Sequence, residues 1–149
     1  MIKAMNISYE IGDKLYLNIT NKCPCNCTFC IRHNGDGAYG SDPLWLEHQP
    51  TAEEVIDNIK KRDLDSYKEI IFCGYGEPTC ELEILKETAK YIKSVTKTPV
   101  RLNTNGLSDL INKRETPAEF KGLVDIISIS LNASDAKACL LYTSDAADD

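Results

Sequence analysis

Four of the chain's seven cysteines, Cys23, Cys25, Cys27 and Cys30, crowd into the stretch Asn-Lys-Cys-Pro-Cys-Asn-Cys-Thr-Phe-Cys at residues 21–30. Thiols at that density bridge as disulfides, hold a metal or carry redox chemistry. The chain's first residues have no apolar core flanked by basic residues, and no run approaches the length that spans a bilayer, so a cytoplasmic location is expected and no membrane partner. That compartment keeps thiols reduced, which leaves metal or redox chemistry. Cys23, Cys27 and Cys30 follow the spacing C-x-x-x-C-x-x-C. On a loop free to curl, three thiolates can each reach a different iron of a 4Fe-4S cube, because soft sulfur ligands suit iron-sulfur centres; a fourth iron then has no protein ligand. A structural zinc knot competes, although zinc usually takes four ligands in two separated pairs. A thiolate from Cys25 would fill the open iron, so Cys25 reads as a bystander. Cys73, at the end of an apolar run, and Cys80 read as small apolar residues. His33 reads as solvent-facing and His48 has no partner pattern.

The elements that must position this loop follow from hydrophobic pattern and turn chemistry. A hairpin turning at Gly12-Asp13 leads into a strand over 14–20, where Leu15, Leu17 and Ile19 alternate. The cysteines come directly after it. Residues 34–43, rich in Gly, Asp and Asn, read as a loop, and Thr51 with Glu54 has capping-box spacing for a helix over about 51–62, whose charged face is solvated. An apolar strand over 69–73 ends in the turn Gly-Tyr-Gly-Glu-Pro at 74–78. A helix follows with Leu82, Leu85, Ala89 and Ile92 on one face. Residues 99–106 repeat the pattern, ending in Asn-Thr-Asn-Gly. Thr116, Pro117 and Glu119 predict another short helix, residues 123–133 a fourth strand, and Ser134 the cap of one more helix. Strands alternating with helices predict an α/β fold with a parallel sheet, whose chemistry sits at the carboxyl ends of the strands. The cysteines and both glycine turns lie at those ends.

Over 149 residues, 42% hydrophobic and with a net charge of −6, the chain has the composition of one globular domain. The acidic balance argues against direct nucleic-acid binding. Asn18-Ile19-Thr20 matches a glycosylation pattern by chance in a cytosolic strand. Residues 139–149, Cys-Leu-Leu-Tyr-Thr-Ser-Asp-Ala-Ala-Asp-Asp, break the pattern just after the Ser134 cap and back-translate to a transposon-based sequencing adapter. They are expected to be a non-native tail on a core domain of residues 1–138 that is incomplete at its C-terminus; a longer contig encoding the same residues inside a longer gene would sink this.

At this point the sequence resembles the radical S-adenosylmethionine superfamily, whose hallmark is the three-cysteine spacing after a first strand, with an aromatic residue before the last cysteine, here Phe29. The resemblance covers nearly all of residues 14–138 and implies the N-terminal part of a partial (β/α)6 barrel, with about four parallel strands present. It implies two cofactors, a 4Fe-4S cluster on Cys23, Cys27 and Cys30 and S-adenosylmethionine on the open iron. One electron from the reduced cluster would cleave S-adenosylmethionine to a 5'-deoxyadenosyl radical, which takes hydrogen from a substrate. Gly74, Gly76 and Glu77 look like the family's Gly-Gly-Glu-Pro motif, with Tyr75 departing from the commonest pattern; glycines permit close backbone approach and a carboxylate can accept from the methionine ammonium. Thr104 and Asn105 match the third-strand position that contacts ribose or carboxylate, with Ser130, Asn132 and Phe29 as further cofactor neighbours. "YLNIT", "NCTFCIR", "HNGDGAYGSDPLW" and "CGYGEPT" look most like the TatD family-associated radical S-adenosylmethionine proteins, which implies a functional link to a TatD-type hydrolase and an electron donor such as flavodoxin or ferredoxin. A glycyl-radical-enzyme activase is the runner-up, and a non-catalytic iron-sulfur or zinc-binding module is the reading from another class.

Overall fold

The computed structural model describes residues 5–23 and 44–130. Cys25, Cys27, Phe29, Cys30, His33, Asn132, Ser134 and the expected tail over 139–149 lie outside the described residues.

The chain opens with a hairpin of β1 (Ser8–Ile11) and β2 (Lys14–Leu17), paired antiparallel with Ser8 opposite Leu17. Gly12 turns it at φ 61°, a conformation that glycine adopts without a Cβ penalty. From β2 onward every pairing is parallel: β2 with β3 (Glu69–Phe72), β3 with β4 (Val100–Thr104), and β4 with β5 (Ile126–Ile129). The sheet order is β1-β2-β3-β4-β5, a mixed and mostly parallel α/β sheet consistent with part of a radical S-adenosylmethionine barrel. Parallel strands need crossovers. The first two carry α1 (Ala52–Ile59) and α2 (Leu82–Val95). α1 starts where the capping box predicts, with Thr51 accepting from the Glu54 amide and the Glu54 side chain accepting from the Thr51 amide.

Pairing fixes which residues share a face, because side chains alternate along a strand. Leu15, Leu17, Ile70, Phe72, Val100 and Leu102 form one face and pack against Val55 and Ile59 of α1 and Leu85, Ala89 and Ile92 of α2 in the main core. Each side chain removed from water there contributes about 1.5–3 kcal/mol. The opposite face carries Lys14, Tyr16, Glu69, Ile71, Arg101, Asn103 and Ser128, by the same registers.

The third crossover differs from its sequence reading. An additional helix, α3, forms at Ser108–Asn112, and the short helix expected after Thr116 forms at Pro117–Phe120 as a 3-10 helix with Pro117 and Glu119 in its first turn. Thr116 makes no cap, because its hydroxyl is held 2.7 Å from both Ser108 Oγ and Asp109 Oδ1 and its amide donates to Asp109 Oδ1 at 2.8 Å. Lys113 in the left-handed region, at φ 57°, ends α3. β2 also stops earlier than the alternation suggests, at Leu17; the Asn18 amide still donates to Ile7 O at 2.7 Å, while its side chain bonds backbone groups outside the strands. β5 starts at Ile126 after Asp125, whose amide donates to Val100 O and whose carboxylate accepts from the Val100 amide, an anchor that pins the strand's entry.

Candidate functional site

The carboxyl ends of β2, β3 and β4 meet around two close contacts and one buried carboxylate. The chain beyond β2 runs against the turn at 74–78. A Cβ on Gly76 would fall inside the Thr20 carbonyl and lie 2.7 Å from Lys22 O, and a Cβ on Gly74 would lie 2.7 Å from Asn18 Cγ. Glu77 N donates to Lys22 O at 2.7 Å. The turn after β3 therefore grips Lys22, the residue immediately before Cys23. The close approach expected of these glycines is made to the chain's own cysteine-loop stem.

Glu77 is 4% exposed and joins β3 to β4. Its Oε2 accepts from Thr79 N at 2.9 Å, Thr79 Oγ1 at 2.6 Å and Thr104 Oγ1 at 2.9 Å, and its Oε1 accepts from Asn105 N at 2.7 Å. Four hydrogen bonds satisfy the buried carboxyl group and hold it in place. Thr104 Oγ1 also accepts from Gly106 N at 3.2 Å, and Asn105 Oδ1 accepts from Leu107 N at 3.0 Å. Ser130, exposed, touches the same strand end through its amide, which donates to Thr104 O at 2.9 Å. The structure thus gathers Cys23, Gly74, Gly76, Glu77, Thr104, Asn105 and Ser130 along one rim, and it shows Glu77 and Thr104 bonded to each other. Tyr75 turns away into a second apolar cluster with Tyr9 and Leu44, its ring edge-on to Trp45 at 4.9 Å.

Sequence reasoning missed the tethers that close the base of the cysteine loop. Asn18, fully buried, donates to Leu44 O at 2.7 Å and Asn6 O at 3.2 Å and accepts from Tyr75 N at 3.4 Å. Asn21 and Leu46 exchange two bonds, Asn21 Nδ2 to Leu46 O at 2.9 Å and Leu46 N to Asn21 Oδ1 at 3.0 Å. Thr20 Oγ1 bonds Gln49 Oε1 at 2.8 Å, and Gln49 Nε2 returns to Ile19 O at 2.8 Å. The only signal in the sequence is a run of amides and hydroxyls where an apolar alternation ends.

Cys80 lies half-buried near Cys23. Burial, then the neighbouring charges of Glu77 and Cys23, push its thiol up to about 12, so it stays protonated at neutral pH and behaves as the small apolar residue expected of it. Among the described residues no group of three or more His, Cys, Asp or Glu side chains forms a metal site, and no helix is long and apolar enough to cross a membrane. Of the three cysteines in the C-x-x-x-C-x-x-C spacing, Cys23 alone is among the described residues, and it stands at the strand-end rim beside a turn that has no room for side chains.

A family model described as the radical SAM superfamily matches residues 17–144. No curated protein and no solved structure matches the chain.

Proposed function

Because the chain belongs to the radical SAM superfamily, and membership implies S-adenosylmethionine-dependent radical chemistry, we propose that it is an enzyme using a 4Fe-4S cluster on Cys23, Cys27 and Cys30 to cleave S-adenosylmethionine reductively. When bound, the cluster would pass one electron to S-adenosylmethionine and so supply a radical that takes hydrogen from the substrate. The supporting observation is the grip of the Gly74–Pro78 turn on the cysteine-loop stem through Gly76 and the 2.7 Å bond from Glu77 N to Lys22 O. That contact ties the residue before Cys23, the first proposed ligand, to the proposed cofactor turn. Their relative position is set before either cofactor binds, which is how an enzyme avoids reorganisation at the moment of reaction.

In this reading Gly74 and Gly76 keep the rim free of side chains, and Glu77, held by Thr79, Thr104 and Asn105, fixes the spacing between the turns after β3 and β4. Asn105 and Ser130 close the rim on the β4 side, with Phe29 and Asn132 as the remaining cofactor neighbours. The electron would come from a flavodoxin or ferredoxin in the cytoplasm.

Anaerobic reconstitution of the full chain with iron and sulfide tests this. The expected result is a 4Fe-4S electron-resonance signal that shifts when S-adenosylmethionine is added, with 5'-deoxyadenosine released on reduction. One tightly bound zinc and no iron would overturn it in favour of a structural module. Cys25→Ala should keep the cluster and Cys23→Ala should lose it; the reverse pair of results would reassign the ligands.

A further inference from the structure

The sheet face turned away from the helices carries a charged cluster that the cofactor rim does not use. Arg101 on β4 donates to Glu69 on β3 through Nε, 2.6 Å from Oε2, and through Nη2, 3.4 Å from Oε1; its Nη1 donates to Ser128 Oγ on β5 at 2.6 Å. Lys14 on β2 stands 3.8 Å from the same carboxylate. Two cations against one anion leave the cluster at net +1. A guanidinium has five N–H donors, and with three engaged two remain, on a side chain that is 27% exposed. Two residues further along β4, on the same face, Asn103 Oδ1 is buried and has no hydrogen-bond partner among the described residues. A buried acceptor left unpaired costs about 1–3 kcal/mol, which a ligand donor would recover. Asn103 pairs with Ser128 across β4 and β5, so acceptor and guanidinium adjoin the same hydroxyl.

We propose that this face holds a recognition subsite for a small hydroxy- or aminocarboxylate: Arg101 takes the carboxylate and Asn103 Oδ1 accepts from the hydroxyl or ammonium group of the same molecule. The proposal rests on the enzyme reading above, for which it names the substrate class. Arg101 and Asn103 are separated along the strand by about 6.6–6.8 Å, a span that a compact ligand with a carboxylate at one end and a donor a few bonds away can bridge. Glu69 orients the guanidinium and at the same time weakens its pull on an anion, which makes the three side chains separable by experiment.

The test is titration of the full chain, without cluster, with L-malate, followed by amide resonances. Success or failure of cluster assembly does not enter this measurement, so the two readings can fail separately. Saturable binding is expected. Arg101→Gln should weaken it about tenfold, the loss of one charge-assisted contact, and Asn103→Ala about threefold. Glu69→Gln should tighten it several-fold by leaving two cations unopposed. If Arg101→Gln does not fold, the Glu69→Gln and Asn103→Ala results carry the decision alone. A purely structural ion pair would instead weaken binding in both charge variants, or give none in the wild type. Either result overturns the proposal, and so does binding of inorganic phosphate in preference to L-malate.

Discussion

Strands β3 and β5 each carry three apolar residues in four, Glu-Ile-Ile-Phe at 69–72 and Ile-Ile-Ser-Ile at 126–129, yet they meet opposite fates. In β3, Ile70, Ile71 and Phe72 are 0%, 2% and 0% exposed; in β5, Ile126, Ile127 and Ile129 are 37%, 44% and 61% exposed. β3 lies between β2 and β4, under α1 and α2. β5 has β4 on one side and, among the described residues, no strand on the other. Ile127 and Ile129 line a shallow pocket with Leu102 and Phe120. An apolar run therefore signals that a strand needs cover, while neighbours on both edges and a helix above decide whether it has it. Glu77 itself follows the covered strand and is 4% exposed, whereas Ser130, which follows β5, is exposed.

The contrast can be broken most directly by truncation. Phe72→Ala should cost about 3–5 kcal/mol in urea unfolding, as a large side chain leaving a closed core does. Ile129→Ala should cost less than about 1 kcal/mol, because its side chain is mostly in water already. Equal costs would mean that β5 is covered in solution. Gly76→Ala sharpens the comparison at the rim: with a Cβ inside the Thr20 carbonyl the stem must move, at about 1–3 kcal/mol, and iron uptake on reconstitution should fall with it. Normal iron uptake in that variant would separate the turn from the cysteine loop. Glu77→Gln should cost about 1–3 kcal/mol, since an amide N–H would face donors that now meet a carboxylate. Far-ultraviolet melts of Glu77→Gln beside Thr104→Val would show whether the two act as one bond.

The smallest effect concerns pH. The Arg114 guanidinium, and after it Lys86, hold Glu119 well below the usual carboxylate range of 4.5, at about 2. A carboxylate with a depressed folded-state pKa contributes stability that is fully present above the unfolded value and is lost as pH falls through the folded one. Unfolding midpoints should accordingly decline between pH 4.5 and about 2, and Glu119→Gln should flatten that decline. Added salt should shrink the difference, because the cluster is surface-exposed and screened. A salt-independent acid limb would place its origin at another carboxylate.

Much of this frame was legible because the signals were local. Gly12-Asp13, the Thr51–Glu54 box and the alternation around Leu15 and Leu17 each commit a few neighbouring residues to one conformation, and each element formed where its pattern lay. The rim was legible in part: Cys23, Gly74, Gly76, Glu77, Thr104 and Asn105 were singled out as types that suit a cofactor, and the structure brings them together. Their division of labour was not readable, since whether Glu77 faces a ligand or Thr104 depends on how strand ends stack. Thr116 misled for a related reason. Its spacing to Glu119 satisfies a cap, but Asp109, brought near by α3, competes for the same hydroxyl and amide. Asn18, Asn21 and Gln49 bond partners 25 to 30 residues away in sequence, and no short window contains both ends of such a bond.

Those amide tethers join the two flanks of the cysteine-bearing stretch to each other. Asn18 to Leu44 O and the paired bonds between Asn21 and Leu46 close the segment at its neck, so the sheet receives the same two ends whatever lies between them. Once a neck is closed, doubling the length of a flexible insert adds only about 0.6 kcal/mol of closure entropy. Grafting a longer or shorter stretch between Cys30 and Leu44 should therefore leave the melting behaviour of the sheet almost untouched, which thermal unfolding of such variants would check.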